Sequence, residues 1–339
     1  MKGYRIVVPG IREIKLEEFE IDEGYIMADQ LLVKNKFTMI SPGTELSIYT
    51  GVEPEVYVPD SWCHYPFRPG YIGVGEVVGK GVNVKRVEVG DLIYYFSKHM
   101  SISKISNSDF YLKIPADIDL KLIPLTRFAT IALTSLRVSS VSSGDIVVVI
   151  GSGLVGNFAS QLFNISGAKV ISVDISDKRL ELIRQAGINL TINSSRQNLK
   201  EEVMKLTNGK GVDIAVDAVG NSKVVVEASD LVKKMGEIIL LGTPRAEYET
   251  DITPLLRVVH LNWVTLKGAL EWCFPLYDSI GSKYSFENNS YYIFDLIKEK
   301  RLVTDGLITH VIKPTEFKEA YEGLLNKKDE YLGVLIDWT

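Results

Sequence analysis

Along the first third of the chain, apolar and polar positions alternate in short runs. Residues 4–8, 30–37, 72–78 and 91–96 read as strands punctuated by Gly and Pro. Few long helical periods interrupt them, so the pattern predicts a mostly-β domain. Near residue 120 the texture changes to alternating strand and helix. Residues 146–150 form a β-branched run of the kind buried on both faces of a parallel sheet. The next stretch, 154–166, carries Val155, Phe158, Leu162 and Phe163 at helical spacing. Strands at 170–173, 191–192, 213–216, 237–241 and 264–266 alternate with helices at 178–186, 199–206 and 223–233. About six strands with intervening helices predict a doubly wound parallel sheet. After Gly268 the regularity ends: 271–289 reads as loop or short helix, 291–300 and 315–326 as amphipathic helices, and 309–312 and 331–336 as strands. The predicted organisation is α/β, with a first domain of 1–125 plus 270–339 and a parallel-sheet domain at 126–269.

Composition narrows the classes. With 339 residues the chain fits two domains rather than one. Its net charge is −5 and acid and base are interspersed, which argues against a nucleic-acid partner. No apolar run approaches the ~20 residues needed to cross a bilayer, and the first twenty residues lack a signal-peptide core. The expectation is a cytoplasmic protein with no membrane partner. Its two cysteines, Cys63 and Cys273, are too few for a structural zinc lobe and read as reduced thiols.

The strongest chemical signal is Gly151-Ser152-Gly153-Leu154-Val155-Gly156, placed between a buried strand and a helix. The first glycine permits a tight turn, the second lets backbone approach a pyrophosphate, and the third allows close helix–strand packing. The helix start offers free N–H groups and the positive end of a dipole to the phosphates. This is a Rossmann fingerprint. Asp174 ends the next strand, where a carboxylate binds ribose hydroxyls and repels a 2′-phosphate, so NAD(H) is the expected cofactor. Arg179 is a candidate for the adenine edge or a solvated helix residue. Ala218 and Val219, and Gly242 and Thr243, follow later strands and fall at the carboxyl edge of the sheet, as cofactor contacts or as ordinary loop residues.

The order of these parts is similar to the medium-chain dehydrogenase/reductase superfamily of alcohol and polyol dehydrogenases. The resemblance covers the whole chain and rests on Pro42-Gly43-Thr44-Glu45-Leu46, Gly70-Tyr71-Ile72-Gly73-Val74-Gly75, Gly90-Asp91, the Gly151 loop and Leu266-Lys267-Gly268. It implies a GroES-like catalytic domain, with nicotinamide and substrate in the cleft between the domains. Zinc members carry Cys-Gly-Thr/Ser-Asp where this chain has Pro42 to Glu45, and Gly-His-Glu where it has Gly70-Tyr71-Ile72. The third ligand position falls near Thr126 or Arg127. Such residues do not replace thiolate, imidazole and carboxylate. The resemblance is therefore to a zinc-less branch that includes relatives of bacteriochlorophyllide hydroxyethyl dehydrogenase and sugar or cyclitol enzymes.

Without a metal, a hydrogen-bond donor or cation must meet the charge that builds on a carbonyl oxygen during hydride transfer. Tyr71 matches the lost histidine ligand and is the candidate donor, or else a packed strand aromatic. His99 is a candidate because an unperturbed imidazole is suited to proton exchange, or else it is a satisfied structural histidine. Thr44 matches the family's relay hydroxyl, and Glu45 the acid beside it; each has a plain reading as a turn residue. Arg127 would supply positive charge if it reaches the vacated position, or else is a surface arginine. The expected reaction is hydride exchange between nicotinamide and a small hydroxylated or carbonyl substrate, a polyol, sugar or cyclitol. Reduction of an activated C=C bond and a non-catalytic dinucleotide sensor are the alternatives. Self-association as a homodimer or homotetramer through the strand near 263–266 is also expected.

Overall fold

The computed structural model describes all residues from Met1 to Thr339. Seven strands open the chain: β1 (Lys2–Val7), β2 (Lys15–Glu20), β3 (Gln30–Met39), β4 (Gly73–Lys80), β5 (Leu92–Tyr95), β6 (Ile102–Ser106) and β7 (Tyr111–Lys113), with helix α1 (Pro42–Tyr49) after β3. The middle of the chain contains α2 (Thr126–Val138), β8 (Ile146–Ile150), α3 (Leu154–Ile165), β9 (Lys169–Asp174), α4 (Asp177–Gln185), β10 (Leu190–Asn193) and α5 (Leu199–Leu206). It continues with β11 (Val212–Asp217), α6 (Ser222–Ala228), β12 (Val232–Leu240), α7 (Thr253–Asn262), β13 (Thr265–Gly268) and α8 (Phe286–Lys298). The chain ends with β14 (Ile308–Ile312), α9 (Phe317–Asn326) and β15 (Gly333–Asp337).

Two compact units result, one of Met1–Arg127 with Ile308–Thr339 and one of Phe128–Leu307. In the first unit a mixed sheet runs β14-β15-β3-β4-β5-β7, with β6 also paired to β3. Its core joins Ile40, Ile48 and Tyr49 to Phe317, Tyr321 and Ile336, so the last thirty residues complete a domain begun by the first hundred. In the second unit six parallel strands run β10-β9-β8-β11-β12-β13. This order reverses beside β8, which places the loop after β8 at the switch point where ligands bind such sheets. The two architectures are those expected from the alternation and the βα repeat.

Three features depart from the pattern reading. Helix α1 escaped it because Glu45 through Tyr49 are all buried, leaving no amphipathic stripe, while Pro42 starts the helix at a position proline favours. The helix expected over 223–233 stops at Ala228; Val232 instead begins β12 opposite Val212, and its apolar side chain joins the core from a strand. Residues 270–307, expected with the first domain, pack with the second. Gln161 of α3 donates from Nε2 to the Val303 carbonyl at 3.0 Å and accepts the Val303 N–H at 2.8 Å, and the Arg137 guanidinium lies 4.1 Å from the Tyr284 ring centre. A side chain capping a distant backbone leaves no periodic trace in sequence. No helix is long and apolar enough to cross a membrane.

Candidate active site

The glycine loop between β8 and α3 is built as the motif requires. A Cβ on Gly156 would collide with the Gly151 carbonyl oxygen, so only glycine lets α3 start this close to β8. Above Gly153 the space is open, its nearest neighbour being Arg179 Nη1 at 4.0 Å from a notional Cβ. Gly153 is the N-cap of α3, and no side chain caps that helix start. Uncapped N–H groups beside open space suit a pyrophosphate. Leu154 and Val155 form the first turn.

Asp174, at the end of β9, is buried. Its Oδ2 accepts the Ser152 N–H at 2.7 Å and its Oδ1 accepts the Ser176 N–H at 2.9 Å, which aims the carboxylate along the loop. Arg179 Nη1 lies 4.0 Å from Asp174 Oδ2. The other sequence candidates converge here. Ala218 donates its N–H to Ile150 O at 2.9 Å, and Val219 packs on Gly151. Gly242 abuts Gly220, which in turn lies against Thr243. Asp217, at the end of the strand that leads into Ala218, anchors the cluster by accepting the N–H groups of Val219 and Gly220 at 2.9 and 3.1 Å. Its Oδ2 is buried with no hydrogen bond, and desolvation holds its pKa above the usual carboxylate value. These residues fit a dinucleotide.

In the first unit, the Tyr71 hydroxyl makes a very short hydrogen bond with Ser41 Oγ. The Arg127 guanidinium lies 5.3 Å from the Tyr71 ring centre and 4.9 Å from that of Phe96. Arg127 is 4% exposed, so it is not the surface arginine of the plainer reading. Tyr71 stays partly accessible, and so does Thr44, whose carbonyl accepts the Ser47 hydroxyl. The residues matched by resemblance to the metal ligands of zinc relatives are Pro42, Tyr71 and one of Thr126 and Arg127. A proline tertiary amide and a phenol beside a buried guanidinium are not a zinc donor set, and a buried cation opposes another. The site does not fit the metal.

Glu45 and His99 are placed among buried partners rather than at an accessible surface. Glu45 Oε1 accepts the Ser41 N–H at 2.8 Å. Glu45 Oε2 meets His99 Nε2 at 2.9 Å and accepts the Tyr321 hydroxyl at 2.6 Å. His99 Nδ1 lies 2.8 Å from Thr38 Oγ1, which also accepts the Trp338 indole N–H at 2.9 Å. The tautomer follows. An indole N–H only donates, and the Thr38 hydroxyl has no other acceptor, so its hydrogen goes to Nδ1. Nε2 therefore carries a proton and donates to Glu45 Oε2. Burial first, and then the charge of Glu45, hold the Tyr321 phenol well above its ordinary pKa, so it remains a donor. His99 and Glu45 act as supports: through the Ser41 N–H they fix the residue that bonds Tyr71. His99 is fully buried, and both its ring nitrogens have partners, Thr38 and Glu45.

The loop that carries His99 is itself pinned. Asn35 Nδ2 donates to Ser97 Oγ at 2.9 Å and to Met100 O at 2.6 Å. The His99 N–H donates to Pro69 O at 2.9 Å. Gly70 has φ +99° and packs against the backbone of Lys98 and His99, a conformation and a gap that favour glycine. Ser41, Thr38, Tyr321, Trp338 and Lys98 were not singled out from sequence.

A family model described as zinc-binding dehydrogenase matches residues 155–271. An L-threonine 3-dehydrogenase of Caldanaerobacter subterraneus is 28% identical over 288 residues, spanning 72% of this chain and 80% of that protein. An alcohol dehydrogenase of Geobacillus stearothermophilus is 27% identical over 238 residues, spanning 60% and 68%. The solved 2R,3R-butanediol dehydrogenase from Bacillus subtilis shares the fold, with a TM-score of 0.80 at 20% identity over 99% of both chains. The chain is thus similar to zinc-type alcohol and threonine dehydrogenases, and its mixed-sheet unit and parallel-sheet unit are the two parts of the fold that it shares with butanediol dehydrogenase.

Proposed function

We propose that the protein exchanges hydride between NAD(H) and a secondary alcohol or its ketone, of polyol, sugar or cyclitol type, without zinc. The observation that carries this reading is the Ser41–Tyr71–Arg127 grouping at the position of the family's metal ligands. When bound, the nicotinamide cofactor supplies or accepts the hydride. The Gly151–Gly156 loop and the start of α3 hold its pyrophosphate, and Asp174 favours an unphosphorylated ribose. Tyr71 donates a hydrogen bond, and then its proton, to the carbonyl oxygen. Ser41 Oγ holds the phenol in place, and the nearby Arg127 guanidinium stabilises the phenolate left behind. Because Tyr71 is partly exposed, solvent restores its proton. Thr44 offers a second hydroxyl to a hydroxylated substrate.

The strand β13 is the outer strand of its sheet and Trp263 beside it is 62% exposed. An exposed strand edge with an aromatic neighbour suits a second copy of the chain, so a homodimer or homotetramer is part of this reading. Cysteines outside any disulfide suit a reducing, cytoplasmic setting.

The test is turnover of a polyol and ketone panel with NADH and NADPH, for wild type and Tyr71→Phe. Wild type should prefer NADH, and Tyr71→Phe should lower kcat about 10²- to 10³-fold while NADH affinity is kept. Undiminished kcat in Tyr71→Phe would sink the assignment.

A further inference from the structure

Helix α1 starts at Ser41, and a serine there ordinarily turns its Oγ back to accept an N–H of the first turn. Helices α4, α5, α6 and α8 start in this way. Ser176 Oγ accepts the Arg179 N–H at 3.3 Å, Asn198 Oδ1 that of Glu201 at 3.2 Å, Asn221 Oδ1 that of Lys223 at 2.9 Å and Ser285 Oγ that of Asn288 at 3.0 Å. Ser41 makes no such bond. Half of a capping box is nevertheless in place, because Glu45 Oε1 accepts the Ser41 N–H at 2.8 Å. The missing half is the hydroxyl, which goes to Tyr71 instead. Pro42 has no N–H, so the groups that a cap would serve are those of Gly43 and Thr44.

We propose that Tyr71 and the start of α1 compete for the Ser41 hydroxyl, and that Ser41 is a positioning residue, held off its cap to aim the phenol. In the function proposed above, Tyr71 gives its hydrogen to the carbonyl oxygen. The hydrogen between the pair is then that of Ser41, and it stays to stabilise the phenolate oxygen after transfer. A local rule of helix building is broken where the chemistry needs the side chain, and α1 is less stable for it. The assignment to catalysis rests on that function; the competition for the hydroxyl does not.

Amide hydrogen exchange, followed by NMR on the full chain, tests the competition without cofactor or turnover. Tyr71→Phe frees Ser41 to cap, so the Gly43 or Thr44 amide should exchange about fivefold more slowly than in the wild type. Adding Ser41→Ala to Tyr71→Phe should bring that rate back to the wild-type value, whereas Ser41→Ala alone should leave it unchanged. A purely structural hydrogen bond gives the opposite sign, since losing the phenol hydroxyl would then loosen α1. Exchange that is unchanged or faster in Tyr71→Phe would overturn the competition. For positioning, Ser41→Ala should lower kcat about tenfold with NADH affinity kept, and Ser41→Thr, which retains a hydroxyl, should keep most of the activity. Full kcat in Ser41→Ala would overturn the positioning role. Turnover of Tyr71→Phe decides the Tyr71 reading separately, and its failure would leave the exchange result standing.

Discussion

The glycine loop of the second unit and the Tyr71 site of the first reach a defined geometry by opposite means. The loop removes side chains: Gly151, Gly153 and Gly156 bring backbone N–H groups to open space, with Asp174 and Asp217 as the carboxylates that fix the turns. The Tyr71 site adds them. Five polar side chains, Thr38, Glu45, His99, Tyr321 and Trp338, stand behind Ser41 and Tyr71. The loop presents mainly backbone to the cofactor, whereas the proposed phenol and guanidinium site rests on a supporting network of side chains.

Breaking the backbone site should have the largest effect. Gly156→Ala drives a methyl into the Gly151 carbonyl and should weaken NADH binding about a hundredfold, read by fluorescence titration. Unchanged affinity would remove the loop from the cofactor site. Thr38→Val strips the donor from His99 Nδ1 and should cost about 1–3 kcal/mol in denaturant unfolding. The chain has four histidines, so nitrogen NMR resolves them readily. In the wild type, His99 should show a single Nε2–H tautomer, set by the Thr38 hydroxyl at Nδ1. A proton found on Nδ1 instead would remove the Thr38 argument.

The smallest effect belongs to Asp217. Its folded pKa is raised, so its contribution to stability is full below the ordinary carboxylate value and falls as pH rises through the folded one. Asp217→Asn keeps an oxygen for Val219 and Gly220 and does not ionise. Between pH 4 and 8, its stability relative to wild type should therefore rise, measured by thermal melts. A constant difference across that range would contradict the desolvation argument.

How much could be read beforehand follows the same division. The six-stranded sheet and its loop are local: strand, glycine turn and helix succeed one another within about twenty residues, and Asp174 follows at the expected step. The mixed sheet was legible as alternation. The Tyr71 support was not, because its bonds join residues far apart in the chain. Tyr321 is 276 positions from Glu45 and Trp338 is 300 from Thr38. Arg127 was legible as a residue type near the third ligand position, but its burial depends on Tyr71 and Phe96 from separate segments. Helix α1 was hidden for another reason: a helix buried all round its last five residues has no polar face to betray its period.

The central claim is that a phenol and a guanidinium stand in for the metal. It is tested most directly by elemental analysis of the purified protein after incubation with excess zinc and desalting, alongside turnover with and without chelator. The account expects no stoichiometric zinc and turnover unchanged by chelation. One zinc retained per chain, with activity lost when it is removed, would contradict it.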